Sequence, residues 1–247
     1  MPILDDSTME NVKNIGTSGY GYSAIKIENL GASEYTLVGI AADRSGSVAS
    51  FCNEIEAGVK SVVEACRSSP RCDNLMLRFL TFDQRLIEVH GFKPLTDCAP
   101  DSYNGTCQAG GSTALYDACY NVIGSLRDYG RTLYAGKYTA NGILFVITDG
   151  EDNASTMTPG EIKKILAEVV TEEKLESLIT VLVGVNVNGH VEQSLKQFAA
   201  DVGFTQFVPL KDATPKTLAK LAAFVSKSIS SQSQSLGSGA GSKLLTF

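Results

Sequence analysis

The sequence predicts an α/β fold: a doubly wound, mostly parallel central sheet with one antiparallel edge strand and helices on both faces. Three observations predict it. Apolar runs at 35–42, 142–148 and 178–185 have the length and composition of strands buried on both sides. The segments between them carry apolar residues at helical spacing. From residue 35 onward the two patterns largely alternate, as strand–helix–strand units do.

Residues 1–34 are polar and rich in Gly and Ser, and read as an arm or an edge hairpin with its strand around 20–27. The first buried strand, 35–42, runs into Asp43-Arg-Ser-Gly-Ser47. A helix follows, with Phe51, Ile55, Val59, Val62, Val63 and Cys66 on one face, and Ser68-Ser-Pro-Arg ends it. The apolar strand at 75–82 turns through Asp83-Gln-Arg into a strand at 86–92, the expected antiparallel edge. A long loop, 94–112, ends in Gly110-Gly-Ser-Thr113, and loops of this length in compact domains are often functional. Leu115, Ala118, Cys119, Val122, Ile123 and Leu126 form the next helical stripe.

The strand at 142–148 runs straight into Asp149-Gly-Glu-Asp-Asn153. Thr158-Pro-Gly-Glu161 is a helix start, with a threonine cap, proline in the first turn and glutamate at the box position. The strand at 178–185 precedes a helix carrying Val191, Leu195, Phe198, Ala199 and Val202. A short strand at 204–210 and a helix over 214–230 complete the domain, expected to span 35–230. The Ser/Gly/Gln-rich remainder, 231–247, reads as a flexible tail.

Composition narrows the function classes. The chain has 247 residues, 43% of them hydrophobic, enough for a sizeable core. A net charge of -6 and no Lys/Arg run argue against a nucleic-acid or anionic-membrane partner. The start of the chain lacks a signal-peptide pattern, and no segment is apolar for long enough to span a bilayer, so the expected location is the cytoplasm. The six cysteines form no Cys-x-x-Cys pair and there are only two histidines, which disfavours zinc. Reduced thiols are the default expectation; Cys98 and Cys107 share a loop and are the pair considered for oxidation.

Asp43, Ser45 and Ser47 occupy alternate positions of an extended segment, so their oxygens share a side. Read alone they are first a helix cap. Read with Thr113 and Asp149, which also follow strand ends or precede a helix, they make a set of two carboxylates and three hydroxyls. Ligands of such sheets bind beyond the carboxyl ends of the strands. A hard oxygen set without His or Cys suits Mg²⁺, Mn²⁺ or Ca²⁺.

The stretches Asp-Arg-Ser-Gly-Ser, Gly-Gly-Ser-Thr-Ala-Leu-Tyr-Asp-Ala and Thr-Asp-Gly-Glu-Asp-Asn occur in the order and spacing of von Willebrand factor A domains. Over about 35–230 the chain resembles that family. The resemblance implies a metal-ion-dependent adhesion site with Asp43, Ser45, Ser47, Thr113 and Asp149 as metal ligands, Mg²⁺ (or Mn²⁺/Ca²⁺) as the ion, and no catalytic residues. It also implies a vacant coordination position filled by a partner's Asp or Glu carboxylate. Intracellular relatives suggest an adaptor or assembly factor, including those beside AAA+ ATPases and in stress-resistance complexes. Asp117 is either a support for the site or an ordinary exposed helix carboxylate; Glu151 and Asp152 read as a solvated turn.

Two other classes compete. In a metal-dependent hydrolase or phosphotransferase, the aspartate after the first strand would act as in haloacid-dehalogenase-like phosphatases. Those need Asp-x-Asp, however, and Ser45 stands at the second position. The chain also has no P-loop and no Gly-x-Ser-x-Gly elbow. A structural subunit that keeps the motif without using metal is the third class.

Overall fold

The computed structural model describes residues 8–247 except Thr17. Its strands are β1 (Met9–Val12), β2 (Tyr22–Ile25), β3 (Glu34–Asp43), β4 (Leu75–Phe82), β5 (Leu86–Pro94), β6 (Thr139–Thr148), β7 (Leu178–Val185) and β8 (Gln206–Leu210). The helices are α1 (Cys52–Arg67), α2 (Leu115–Ala135), α3 (Pro159–Glu172), α4 (Gly189–Val202) and α5 (Pro215–Ser238). The strands form one sheet in the order β1-β2-β5-β4-β3-β6-β7-β8. Strands β4, β3, β6, β7 and β8 are mutually parallel, and β5 runs antiparallel to β4. The fold is therefore the expected mostly parallel α/β sheet with an antiparallel side.

Alternation along the central strands divides the core into two layers. Leu37 and Ala41 of β3 and Leu144 and Val146 of β6 face α2, α3 and α4. Val38, Ile40 and Ala42, with Ile143, Phe145 and Ile147, face α1 and α5. Both faces of the strands are buried, which explains their uninterrupted apolar composition. Gly39 lies where α2 comes closest, since a β-carbon there would meet Val122 at 2.5 Å. Helix α3 starts as the sequence predicts: the Thr158 hydroxyl accepts from the Glu161 amide at 3.3 Å, and the Glu161 carboxylate accepts from the Thr158 amide at 2.8 Å.

The N-terminal edge hairpin is formed by residues 9–25; residues 1–7 of the expected arm lie outside the described residues. Strands β1 and β2 pair antiparallel, and β2 joins β5 through Ala24 and Phe92, so the hairpin extends the sheet beyond β5. A buried guanidinium fastens it. Arg78 on β4 pairs with Glu88 at 2.6 Å and donates to Ser125, Asn121 and the Gly21 carbonyl. Glu88 in turn accepts from the amide and hydroxyl of Ser23 on β2.

Two expectations are corrected. Helix α5 does not end at 230 but runs to Ser238, into the stretch read as a flexible tail. Its polar end is tied to the rest of the domain: the Gln232 side chain donates to Ser177 at 2.8 Å, the Gln232 backbone carbonyl accepts from Asn141 at 2.8 Å, and Ser233 accepts from Arg71 at 3.0 Å. Beyond it the chain returns to this helix, where the Phe247 ring lies edge-on to Phe224 at 5.6 Å. The cysteines also differ. Cys107 is joined to Cys52, not Cys98, in a disulfide whose Cα atoms are 5.6 Å apart; Cys66, Cys72, Cys98 and Cys119 are free. The sequence could not place Cys52 near Cys107, because the contact depends on how the 94–112 loop crosses the start of α1. Among the described residues, no helix is long and apolar enough to cross a membrane.

A candidate metal centre at the carboxyl ends of the strands

Strands β3 and β6 are neighbours in register, so their carboxyl ends place Asp43 and Asp149 side by side. The backbone then turns sharply after Asp43. The Ser45 amide donates to Asp43 Oδ1 at 2.7 Å, and the Thr148 hydroxyl donates to Asp43 Oδ2 at 2.6 Å. Ser47 donates to Asp149 Oδ1 at 2.8 Å, and the Ser45 and Ser47 hydroxyl oxygens lie 3.1 Å apart. Asp43, Ser45, Ser47 and Asp149 thus form one connected group. It is closed beneath, where Asp43 is fully buried, and open above, where Ser47 is exposed.

Thr113 reaches this group through its loop. The Gly46 amide donates to the Gly111 carbonyl at 3.1 Å, and the Gly110 amide donates to the Arg44 carbonyl at 2.9 Å. Gly111 has φ +77°, and a β-carbon there would strike Gln84 at 2.1 Å, so this crossing needs glycine. On the other side Asn153 holds Thr113 twice: its side chain accepts the Thr113 amide at 2.7 Å, and its own amide donates to the Thr113 carbonyl at 3.0 Å. Among the described residues, no hydrogen bond joins the Thr113 hydroxyl to the other four side chains.

The electrostatics of the group favour a cation. Burial pushes the Asp43 carboxyl up to about 6, against the hydrogen bonds from Thr148 and Ser45, and the neighbouring Asp149 charge raises it further. Burial likewise raises Asp149. Arg44, next in sequence to Asp43, pairs instead with Asp83 at 2.5 Å. Two carboxylates in a partly buried space, with hydroxyls on the same group and no cationic side chain, match what a hard divalent ion requires. Among the described residues, no group of three or more His, Cys, Asp or Glu side chains is arranged to hold a metal; the candidate group has two carboxylates and otherwise hydroxyls.

The sequence reading left Asp117 between a support and an exposed helix carboxylate and took Asp152 for a solvated turn; the structure gives both carboxylates partners. Asp117 is not exposed; it is buried and accepts the amides of Thr156 at 2.9 Å and Met157 at 2.8 Å. Asp152 is not a free solvated turn residue. Its carboxylate accepts the Tyr116 amide at 3.1 Å, while the Ser155 hydroxyl accepts the Asp117 amide at 2.9 Å. The first turn of α2 has no side-chain cap of its own, so its unpaired amides are satisfied by the 152–157 loop. This capping from a distant segment fixes the start of α2, and with it Thr113. A local capping signal could not reveal it. Glu151 instead lies against His190, at 3.1 Å.

No protein-family model matches the chain, and no curated protein sequence matches it. Solved structures do. The PilB minor pilin from Streptococcus sanguinis aligns over 90% of this chain and 67% of its own, with 14% identity and a TM-score of 0.59. The pilus adhesin SpaC from Lactobacillus rhamnosus GG, in an open conformation, aligns over 85% of this chain and 31% of its own, with 10% identity and a TM-score of 0.59. Proximal thread matrix protein 1 from the mussel byssus, with a zinc-occupied MIDAS motif, aligns over 89% of this chain and 47% of its own, at 17% identity and a TM-score of 0.52. The fold is von Willebrand factor A-like. At these identities the likeness speaks for the fold alone, and the chain spans under half the length of the byssus protein.

Proposed function

We propose that this protein is a non-enzymatic, divalent-metal-dependent interaction module. Asp43, Ser45, Ser47, Thr113 and Asp149 hold Mg²⁺, or Mn²⁺ or Ca²⁺ in its place, directly or through water, and a partner protein supplies an Asp or Glu carboxylate to the ion's open position. The ion supplies the positive charge that two buried-edge carboxylates lack and that a third, incoming carboxylate needs. One observation carries the reading: the linked Asp43–Ser45–Ser47–Asp149 group with no cation of its own. A binding role is supported over a hydrolytic one by Ser45, which stands where the phosphatase pattern needs a second aspartate, and by the lack of a histidine in the linked group among the described residues. His90 is buried between Tyr103 and the Gly91 carbonyl, and His190 stands at Glu151.

The setting we propose is an oxidising compartment rather than the cytosol, because disulfides such as Cys52–Cys107 persist there. That the fold is shared with pilus subunits and a byssus matrix protein supports a role in an extracellular assembly over one beside an intracellular ATPase. The test is capture of partners on immobilised protein with Mg²⁺, with EDTA, and with Asp43→Ala. Capture that requires the ion and Asp43 supports the module. Capture indifferent to both would identify a structural subunit, and Mg²⁺-dependent phosphate-ester turnover would make the protein an enzyme.

A further inference from the structure

The disulfide lies between the two loops that carry most of the candidate site. Cys52 is the first residue of α1, five positions after Ser47; Cys107 lies six positions before Thr113. Cys52 does not act alone. Cys52, Glu56 and Lys60 recur every four residues and so form one stripe on α1. Each grips the loop: Cys52 bonds Cys107, Glu56 accepts the Thr106 amide at 3.1 Å, and Lys60 donates to the Asn104 side chain. Immediately beyond, Gly110 and Gly111 exchange backbone hydrogen bonds with Arg44 and Gly46. The loop is therefore pinned at 104–107 to the helix that follows the Asp43 loop, and at 110–111 to that loop itself.

Only the first of these fastenings is covalent. Without it, the Thr106 and Asn104 contacts are partly exposed polar pairs, of the kind that contribute little individually. We infer that the Cys52–Cys107 disulfide is a redox-sensitive clamp that sets the affinity of the candidate metal centre by holding the Thr113 loop against the Asp43 loop. The clamp opens when a dithiol reductant delivers two electrons and two protons to the Sγ–Sγ bond. Cys52 and Cys107 become thiols, and the reductant leaves as its own disulfide. Cys52 and Cys107 are thus positioning residues, acting on the ion through the loops they join. The inference rests on the metal reading above and adds a condition to it: oxidised protein binds, reduced protein releases.

The experiment measures Mn²⁺ binding by calorimetry for the oxidised protein, the protein reduced with a phosphine, Cys107→Ser, and Cys72→Ser as a control thiol outside the clamp. Hydrogen exchange of the metal-free forms is followed in parallel. Reduction and Cys107→Ser are expected to weaken Mn²⁺ binding ~10-fold or more, the scale set by losing a support behind a metal ligand. The Gly46 and Gly110 amides should exchange faster while those of β3 and β6 stay protected, and Cys72→Ser should change nothing. Uptake by the oxidised protein that ignores both reduction and Cys107→Ser overturns the clamp alone. No uptake by the oxidised protein overturns the metal reading and the clamp with it. Loss of protection throughout the sheet also overturns the clamp, since the disulfide would then hold the fold and not the site.

Discussion

Asp43 shows most plainly how a single residue ties stability to binding. Its carboxyl is raised to about 6, above the ~4 of an unfolded aspartate. In the metal-free protein this group favours the folded state fully below pH ~4, and that contribution is lost as pH rises through about 6. Thermal melts of the metal-free protein, compared with Asp43→Asn, should show the extra loss between pH ~4 and ~6 only in the parent. Metal binding has the opposite sign, because proton and ion compete for the carboxylate. Mn²⁺ affinity should fall about tenfold from pH 7 to pH 5, as follows from protonation near 6; a flat profile would remove Asp43 from the site. Gly111 makes a second point at this scale. Gly111→Ala puts a β-carbon into Gln84 at a positive φ, and should displace the Gly46–Gly111 hydrogen bond. We expect a stability loss of ~1–3 kcal/mol by denaturant titration, together with weaker Mn²⁺ binding.

Secondary-structure elements were legible where burial is apolar and obscure where it is polar. β3, β6 and β7 announce themselves because both faces are covered, and α3 because its capping box is local. The end of α5 did not, since Ser, Gln and Gly give no hydrophobic period; its residues are buried through Asn141, Ser177 and Arg71, which are remote in sequence. Ending the chain after Ser230 should therefore destabilise the domain, not trim a loose tail. It removes the Gln232 and Ser233 partners and leaves the buried Asn141 amide unpaired. The expected loss is ~2–4 kcal/mol, from one to three kcal/mol for each buried group left unpaired. Unchanged melting of the truncated chain would show that these contacts carry no weight. The start of α2 teaches the same lesson, because its cap comes from Asp152 and Ser155 and not from the residue before it.

At the scale of the whole molecule, the topology assembles the candidate site. Parallel β3 and β6 deliver two aspartates to one end of the sheet, and the 94–112 loop, hydrogen-bonded there to Arg44 and Gly46, leads into Thr113. The gathering of Asp43, Ser45, Ser47 and Asp149 beyond the strand ends was legible because each follows a strand, and that punctuation is written in the sequence. The clamp was not, because 55 residues separate Cys52 from Cys107 and only the folded path of the loop joins them. That one bond is also what supports the oxidising compartment we propose. Calorimetric titration of Mg²⁺ and Mn²⁺ into the oxidised protein and into Asp43→Ala at pH 7.5 tests the central claim most directly. The account predicts saturable uptake of a single ion by the parent and none by the variant, with both folded by circular dichroism. Absence of uptake by the parent, or equal uptake by the variant, would contradict it.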